Sequence, residues 1–269
     1  MIQADYHLHS SFSDDSVEKM EVQVQEAIRQ GMSALCFTDH MDYDYPKKYT
    51  ERFEFDVDAY FQEIHRLQTI YHRDISIRAG IELGMRPYLA SRCERLVSSY
   101  PFDFVICSSH LIGEEDPYYP QYWHGKKEAD SIRAYFDTIL ANLSVFESFD
   151  IYGHLDYVVR YAPSGIRTYS YEDYSEQLDA ILSAIIKLGK GIELNTSGYR
   201  AIKTEPNPQH EVLTRYRELG GTIITIGSDA HSHARLGSDF SRAEKLLLSL
   251  GYDSYTVYEN RTPVFLPLG

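Results

Sequence analysis

The sequence predicts an α/β barrel, seven parallel strands ringed by helices, on three observations. Short apolar segments of strand length alternate with amphipathic helical stretches along the whole chain, the pattern of parallel strands covered on both faces. The first strand runs into His7-Leu8-His9-Ser10-Ser11, not into the glycine-rich turn that an open, doubly wound nucleotide fold places there. The strands also finish on histidines and acids, and a barrel gathers the C-terminal ends of all its strands into one mouth.

Residues 2–9 read as strand one. Residues 16–30 have helical spacing through Val17, Met20, Val24, Ala27 and Ile28, with Ser16 as cap and Gly31 as stop. A buried strand follows at 34–38, then a helix at 58–72 with Ala59, Phe61, Ile64, Leu67 and Ile70 near one face. Strand three is expected at 75–82, a helix at 89–99 and strand four at 104–107. Residues 113–127, rich in Pro, Tyr, Gly and charge, read as a long loop of the kind that forms lids or binding surfaces. Beyond it come a helix at 128–146, strand five at 151–154, a helix at 171–188, strand six at 192–195 and a helix at 210–219. Strand seven (222–226), a helix at 240–250 and one more extended piece (255–268) complete the chain. No repeat or linker interrupts it, so residues 1–269 are expected to form a single domain.

Composition removes several function classes. At 269 residues and 43% hydrophobic, the chain can bury a large core. It has no run of eighteen apolar residues, so no membrane span is expected. The N-terminal segment lacks the basic start and apolar core of a signal peptide, which points to a cytoplasmic enzyme. Cys36, Cys93 and Cys107 are sparse, odd in number and without CxxC spacing, which argues against a disulfide framework or a zinc ribbon. The net charge of −14, with no basic patch longer than Lys47-Lys48 or Lys126-Lys127, argues against nucleic-acid partners. Small substrates are tolerated by such a field, above all those with a cationic group.

Chemistry concentrates at the strand ends. Alternate residues of a strand share a face, so His7 and His9 point the same way and can close on one metal ion. Strand two delivers Thr38-Asp39-His40, strand three Glu82, strand four Ser109-His110 and strand five Gly153-His154. Strand six delivers Asn195-Thr196-Ser197, and strand seven Asp229-Ala230-His231, again an i, i+2 pair. Asp14 and Asp15 lie in the loop beyond His9. Glu82 ends an apolar strand, where an unpaired carboxylate is costly, so a cationic partner is expected. His65 and His72 on a helix, and His124 and His210 in loop or cap positions, are expected to be solvated or structural, and His233 is ambiguous. Mixed imidazole and carboxylate donors suit Zn, Fe or Mn rather than Mg or Ca.

The ordered segments His7-Leu8-His9, Phe37-Thr38-Asp39-His40, Gly80-Ile81-Glu82, Ser109-His110, Gly153-His154 and Gly227-Ser228-Asp229-Ala230-His231 resemble the motifs of the PHP (polymerase and histidinol phosphatase) family. The resemblance covers essentially the whole chain. It implies a distorted (β/α)7 barrel, a single PHP-type metallohydrolase domain with three divalent metal ions at the C-terminal ends of its strands. Carried over motif by motif, it implies that His7, His9, Glu82 and Asp229 hold one ion. Glu82 then bridges to a second held also by His110 and His154, and Asp15, His40 and His231 hold the third. Members often have a histidine where Asp14 and Asp15 stand here; the six-residue spacing after His9 favours Asp15. The chain length, the Tyr6-His7-Leu8-His9-Ser10 start and the run from Glu193 to Arg200 resemble the histidinol-phosphate phosphatase branch.

That resemblance implies hydrolysis of a phosphate monoester, L-histidinol phosphate, by a metal-activated hydroxide. Arg160 and Arg200 both follow strand ends and are expected to clamp the phosphate, since guanidinium forks match its oxygens. Asp229 is a candidate to relay a proton to the leaving oxygen. Asp42, Tyr161 and Tyr199 are candidates for the amine and imidazole of the alcohol. Three rivals remain: a phosphoesterase for another small ester, a nucleotide or phosphotyrosine; an amidohydrolase, which would place a modified lysine where no strand end here carries one; and a non-catalytic metal-stabilised binding domain.

Overall fold

A computed structural model describes residues 2–165 and 168–269. Its sheet contains β1 (Ala4–Leu8), β2 (Ala34–Phe37), β3 (His40–Met41), β4 (Ser76–Gly84), β5 (Phe104–Ser108), β6 (Ile151–Tyr152), β7 (Gly191–Asn195) and β8 (Ile224–Gly227). Neighbours are parallel in the order β1-β2-β4-β5-β6-β7-β8. β2 pairs with the first half of β4 and β3 with the second, so the two occupy one position of a seven-position barrel. Between them backbone bonding continues, Thr38 N to Leu8 O (2.9 Å) and Glu82 N to Asp39 O (3.1 Å). The carboxylate of Asp39 turns inward and accepts hydrogen bonds from Ser10 N at 2.6 Å and Ser13 Oγ at 2.7 Å. The barrel is distorted by a register shift between β1 and β2, from Asp5 to Leu8, and nearly closed: backbone bonds join the β1 and β8 ends through His9 N to Ala230 O (2.9 Å) and Asp229 N to His7 O (2.7 Å), and Ser228 N donates to Asp5 Oδ1 at 2.9 Å.

The helices are α1 (Met20–Gln30), α2 (Val57–Tyr71), α3 (Ala90–Ser99), α4 (Glu128–Leu143), α5 (Ser175–Lys187), α6 (Gly198–Ile202), α7 (His210–Glu218) and α8 (Phe240–Ser249). None is long and apolar enough to cross a membrane. Their apolar faces and both faces of the strands form one continuous core. α1 begins four residues later than its periodicity suggests. Ser16 donates to the carbonyl of His231 instead of capping the helix, which leaves Val17 almost fully exposed. Residues 171–174 form a 3-10 turn ahead of α5, and α6 was not anticipated. The three cysteines are free and buried.

The tail is a hairpin rather than one extended piece. β9 (Ser254–Glu259) and β10 (Thr262–Pro267) are antiparallel and joined by Asn260 and Arg261, both at positive φ (48° and 63°). That is a type I′ turn, and an arginine in its second place hides the usual Asn-Gly signal. The hairpin covers the N-terminal end of the barrel. Tyr6 Oη donates to Tyr258 O, Arg261 N to Asp103 O, and Arg261 Nε to the Asp150 carboxylate, so it touches residues in or just before β1, β5 and β6.

Two glycines allow the interior to close. A Cβ at Gly227 would meet His7 Cβ at 2.2 Å and Glu193 Oε1 at 2.5 Å; one at Gly84 would meet the Asp42 carboxyl carbon at 2.2 Å. Gly227→Ala should therefore cost about 1–3 kcal/mol through overpacking, read as a lowered urea midpoint of the metal-free protein. An unchanged midpoint would mean that β1 and β8 separate without cost.

Candidate metal centre

Every side chain singled out at the strand ends as a metal ligand falls into one cluster at the barrel mouth. Glu82, fully buried on β4, lies at its middle. Its Oε1 is 3.2 Å from His110 Nε2 and 2.7 Å from His154 Nε2. Its Oε2 is 3.2 Å from His7 Nε2, 3.5 Å from His9 Nε2 and 3.0 Å from His40 Nδ1. The two oxygens thus face two different sets of imidazoles. Asp229 Oδ1 lies 3.5 Å from His9 Nε2 and 3.6 Å from His231 Nδ1. Asp15 Oδ2 lies 3.0 Å from His231 Nε2 and 3.7 Å from His40 Nε2. Asp14 points elsewhere and accepts from the backbone N–H of Arg52. The His9 ring packs against those of His40 and His231, at 4.1 and 4.2 Å, and those two rings lie 5.9 Å apart.

Partners outside the cluster fix how the imidazoles present themselves. His7 Nδ1 lies 2.6 Å from Glu193 Oε1, and His110 Nδ1 lies 2.6 Å from Asp42 Oδ2. An ionised carboxylate only accepts, so each ring carries a proton on Nδ1; Nε2 faces Glu82, and a metal ion taking the place of its proton would meet the Nε2 lone pair. His9 Nδ1 meets Ser13 Oγ at 3.2 Å, and that hydroxyl donates on to Asp39. This arrangement of carboxylate, histidine and inward nitrogen is how metal-ligating histidines are held. Glu193, Ser13 and the carboxylate of Asp39 were not anticipated in this role. The signal for Glu193 was its place two residues before Asn195, on the same inward face of β7.

Asp229 adopts a left-handed backbone (φ 52°), a conformation that asparagine and aspartate tolerate best among non-glycine residues and that gathers at functional sites. Its Oδ2 accepts from Arg160 Nη1 at 3.3 Å and Ser197 Oγ at 3.0 Å. Arg160, on a 3-10 turn after β6, also donates to Asn207 Oδ1 at 2.7 Å. Arg200, on α6, donates to the carbonyls of Ser228 and Asp229. Both guanidiniums line a cavity of about 180 Å³ over the cluster, whose other wall includes Asp42, Tyr45, Phe53, Asp116, Tyr157 and Tyr161. Tyr199 is not in this cavity; its ring lies under the Arg242 guanidinium at 3.7 Å. His65, His72, His124 and His210 are exposed. His233 is exposed too and pairs with Glu18 at 2.6 Å.

The buried groups hold one another's charge: burial pulls His7, His110 and His231 down, but neighbouring carboxylates raise them above the ordinary histidine value. Burial would raise Glu82, but His7, His110 and His40 outweigh it and hold the carboxyl well below its usual range. Burial and the neighbouring His40 and His231 keep His9 neutral, far below the ordinary histidine value. Burial likewise lowers His154. His40 moves the other way: burial lowers it, but Glu82 and Asp15 lift it to about 9. His9 Nε2 and His40 Nδ1 face the cluster, are buried and have no aligned hydrogen-bond partner, which is costly unless a cation takes the lone pairs; His154 Nδ1, the nitrogen turned away from Glu82, is unpartnered as well. Four overlapping sets of three donors lie within metal-binding range: His9, His40 and His231; His7, His9 and Glu82; His40, Asp42 and His110; Glu82, His110 and His154. The residues fit divalent metal ions.

A parallel barrel whose mouth is lined with inward imidazoles around a shared carboxylate defines the class of metal-dependent hydrolases. The chain belongs to the PHP domain family, whose model matches residues 5–197. It is 34% identical to a histidinol-phosphatase of Lactococcus lactis over 96% of this chain and 95% of that one. It is 33% identical to a probable histidinol-phosphatase of Clostridium acetobutylicum over 90% of this chain and 91% of that one. The crystal structure of histidinol phosphate phosphatase from L. lactis, complexed with zinc, L-histidinol and phosphate, superposes with a TM-score of 0.91, covering 97% of this chain and 98% of that one at 33% identity. A putative histidinol phosphatase from Listeria monocytogenes shares the fold (TM-score 0.77, 18% identity, 89% of this chain and 99% of that one).

The contrast between the two neighbouring acids is testable. Asp15→Asn should lower the metal content of the purified protein by about one ion per chain, measured by elemental analysis. Asp14→Asn should leave it unchanged. The opposite ranking would move the ligand to Asp14.

Proposed function

We propose that the protein hydrolyses L-histidinol phosphate to L-histidinol and inorganic phosphate, a step of histidine biosynthesis, with three divalent metal ions at the barrel mouth. The observation that carries this is full-length similarity, at 33% identity, to a protein whose crystal structure is described with zinc, L-histidinol and phosphate. His7, His9, Glu82 and Asp229 hold one ion; Glu82, His110 and His154 a second; Asp15, His40 and His231 the third. The mixed donor set suits Zn, Fe or Mn. When bound, such ions lower the pKa of water towards 7 and neutralise charge on the phosphoryl group.

The protein's own side chains do the rest. Arg160 is pre-aimed by Asn207 and Ser197, so little ordering is needed when it meets phosphoryl oxygens. Together with Arg200 it neutralises the charge that spreads over those oxygens in a loose transition state. Asp229 is held ionised: burial would raise it, but His7, His9 and Arg160 dominate. It stands beside Arg160 at the edge of the cavity and is the candidate to relay a proton to the leaving oxygen. The amine and imidazole of the substrate face the acidic and aromatic wall, with Asp42, Asp116 and Tyr161 nearest in chemistry. One oxygen of Asp42 is committed to His110, and Asp116 accepts from Tyr45 at 2.7 Å. The enzyme works in the cytoplasm on a soluble intermediate, and its acidic surface keeps polynucleotides away.

Steady-state kinetics with a panel of phosphate esters tests the assignment. L-Histidinol phosphate should be preferred over nucleotides and phosphotyrosine, and equal turnover across the panel would overturn it. Activity should vanish on chelation and return with Zn or Mn. Arg160→Ala and Arg200→Ala should each lower kcat/KM by about tenfold or more; an unchanged value removes that residue from the phosphate site.

A further inference from the structure

β7 is the one barrel position whose end supplies no candidate metal ligand among the described residues. It nevertheless sends Glu193 and Asn195, two apart and hence on one face, into the barrel. Glu193 is almost wholly buried. Its Oε1 takes the Nδ1 proton of His7 at 2.6 Å, and its Oε2 accepts from the backbone N–H of His154 at 3.2 Å and from Asn195 Nδ2 at 3.1 Å. The adjoining strand ends carry glycine where they border this carboxylate. A Cβ at Gly227 would lie 2.5 Å from Oε1, and one at Gly153 would lie 3.6 Å from Oε2. The slot therefore closes tightly on the carboxylate from the Gly227 side, while the Gly153 side makes ordinary contact. A single buried carboxylate reaches one ring on β1 and one main-chain amide after β6.

We infer that Glu193 is a positioning residue for the metal centre: it fixes the ring of His7 and anchors the backbone of His154, so the two ions that share Glu82 depend on it and the ion at Asp15, His40 and His231 does not. This rests on the metal ligands assigned under the proposed function. Two features support the split. Every acceptor contact of Glu193 goes to His7, His154 or Asn195. The Asp15 group is held instead through His231, Ser16 and the Asp39–Ser13 pair on the opposite side of the mouth. A carboxylate on the outer nitrogen also makes the inner nitrogen a stronger donor, and loss of such a partner commonly weakens metal binding by about 10–100-fold.

The test counts ions retained per chain during dialysis against graded chelator, for wild type, Glu193→Gln and Glu193→Asp, together with the thermal midpoints of the metal-free and loaded forms. In the Gln variant two of the three ions should be lost at a chelator concentration at least about tenfold lower than in wild type. The third ion should be retained as in wild type; the metal-free midpoint should fall too, because the new amide nitrogen meets a donor where the carboxylate accepted one, so the split in ion loss carries the test. The Asp variant keeps the charge on a shorter stem and should fall between the two. Retention of all three ions at wild-type chelator resistance overturns the inference, as does an equal loss of all three. A lowered metal-free midpoint with unchanged ion retention also overturns it, because the role is then structural only. If the Gln variant does not fold, the Asp variant decides on the same readout. A wild-type protein that binds no metal overturns the metal-centre reading itself, whereas a wild type with three ions and an equally tight variant overturns this inference alone.

Discussion

The structure depends on one carboxylate placed where no carboxylate would otherwise belong. Glu82 sits at zero exposure among five imidazole rings, its two oxygens turned to different sets of nitrogens. Isolated, such a group would lose far more in desolvation than one ring could return. The surrounding rings cannot all be protonated either, because like charges at these separations repel and burial disfavours the imidazolium. The stable solution is positive charge placed between the groups. Much of the mouth can be read as the means of presenting lone pairs to that charge.

The presentation is built in layers. Strand ends supply the inner donors, and Glu193, Asp42 and the Ser13–Asp39 pair supply the hydrogen bonds that set ring orientation. Behind these, close packing at Gly227 and Gly84 lets the strands approach until the bonds are short. The segment joining β2 and β3 belongs to the same scheme. The Asp39 carboxylate holds the loop after β1, and His40 pairs directly beside Glu82.

Much of this was legible in the sequence because barrel chemistry collects at predictable places. An i, i+2 histidine pair on a first strand and acids at later strand ends are local patterns, and the parallel order converts them into neighbours. What stayed hidden depends on long-range geometry. Glu193 reads as an acid within an apolar strand, and only the closure of β8 against β1 reveals that His7 is its partner. The choice between Asp14 and Asp15 rests on the path of a loop, which spacing constrains weakly; the backbone N–H of Arg52 occupies one acid and His231 faces the other. By sequence Tyr199 is a candidate for the alcohol's amine and imidazole, but it packs under Arg242 while Arg200, its neighbour on α6, lines the cavity. The final hairpin was missed because positive φ at Asn260 and Arg261 is imposed by docking on Asp103 and Asp150 rather than announced by glycine.

That hairpin has a consequence for how the molecule comes into being on the ribosome. Tyr6 is tied to Tyr258, 252 residues away, and Asp5 to Ser228, 223 residues away. The first strand is therefore synthesised long before any of its final neighbours on one side exist. His7 and His9 are synthesised about 220 residues ahead of Asp229 and His231, and the donors cannot be assembled until the later strands have followed. Closing a loop of that span costs entropy that no early contact returns, so folding should be slow and governed by the last step of ring closure. Until then β1 presents an unpaired edge, and the nascent chain is most exposed to mispairing in the interval before its own C-terminal strands arrive.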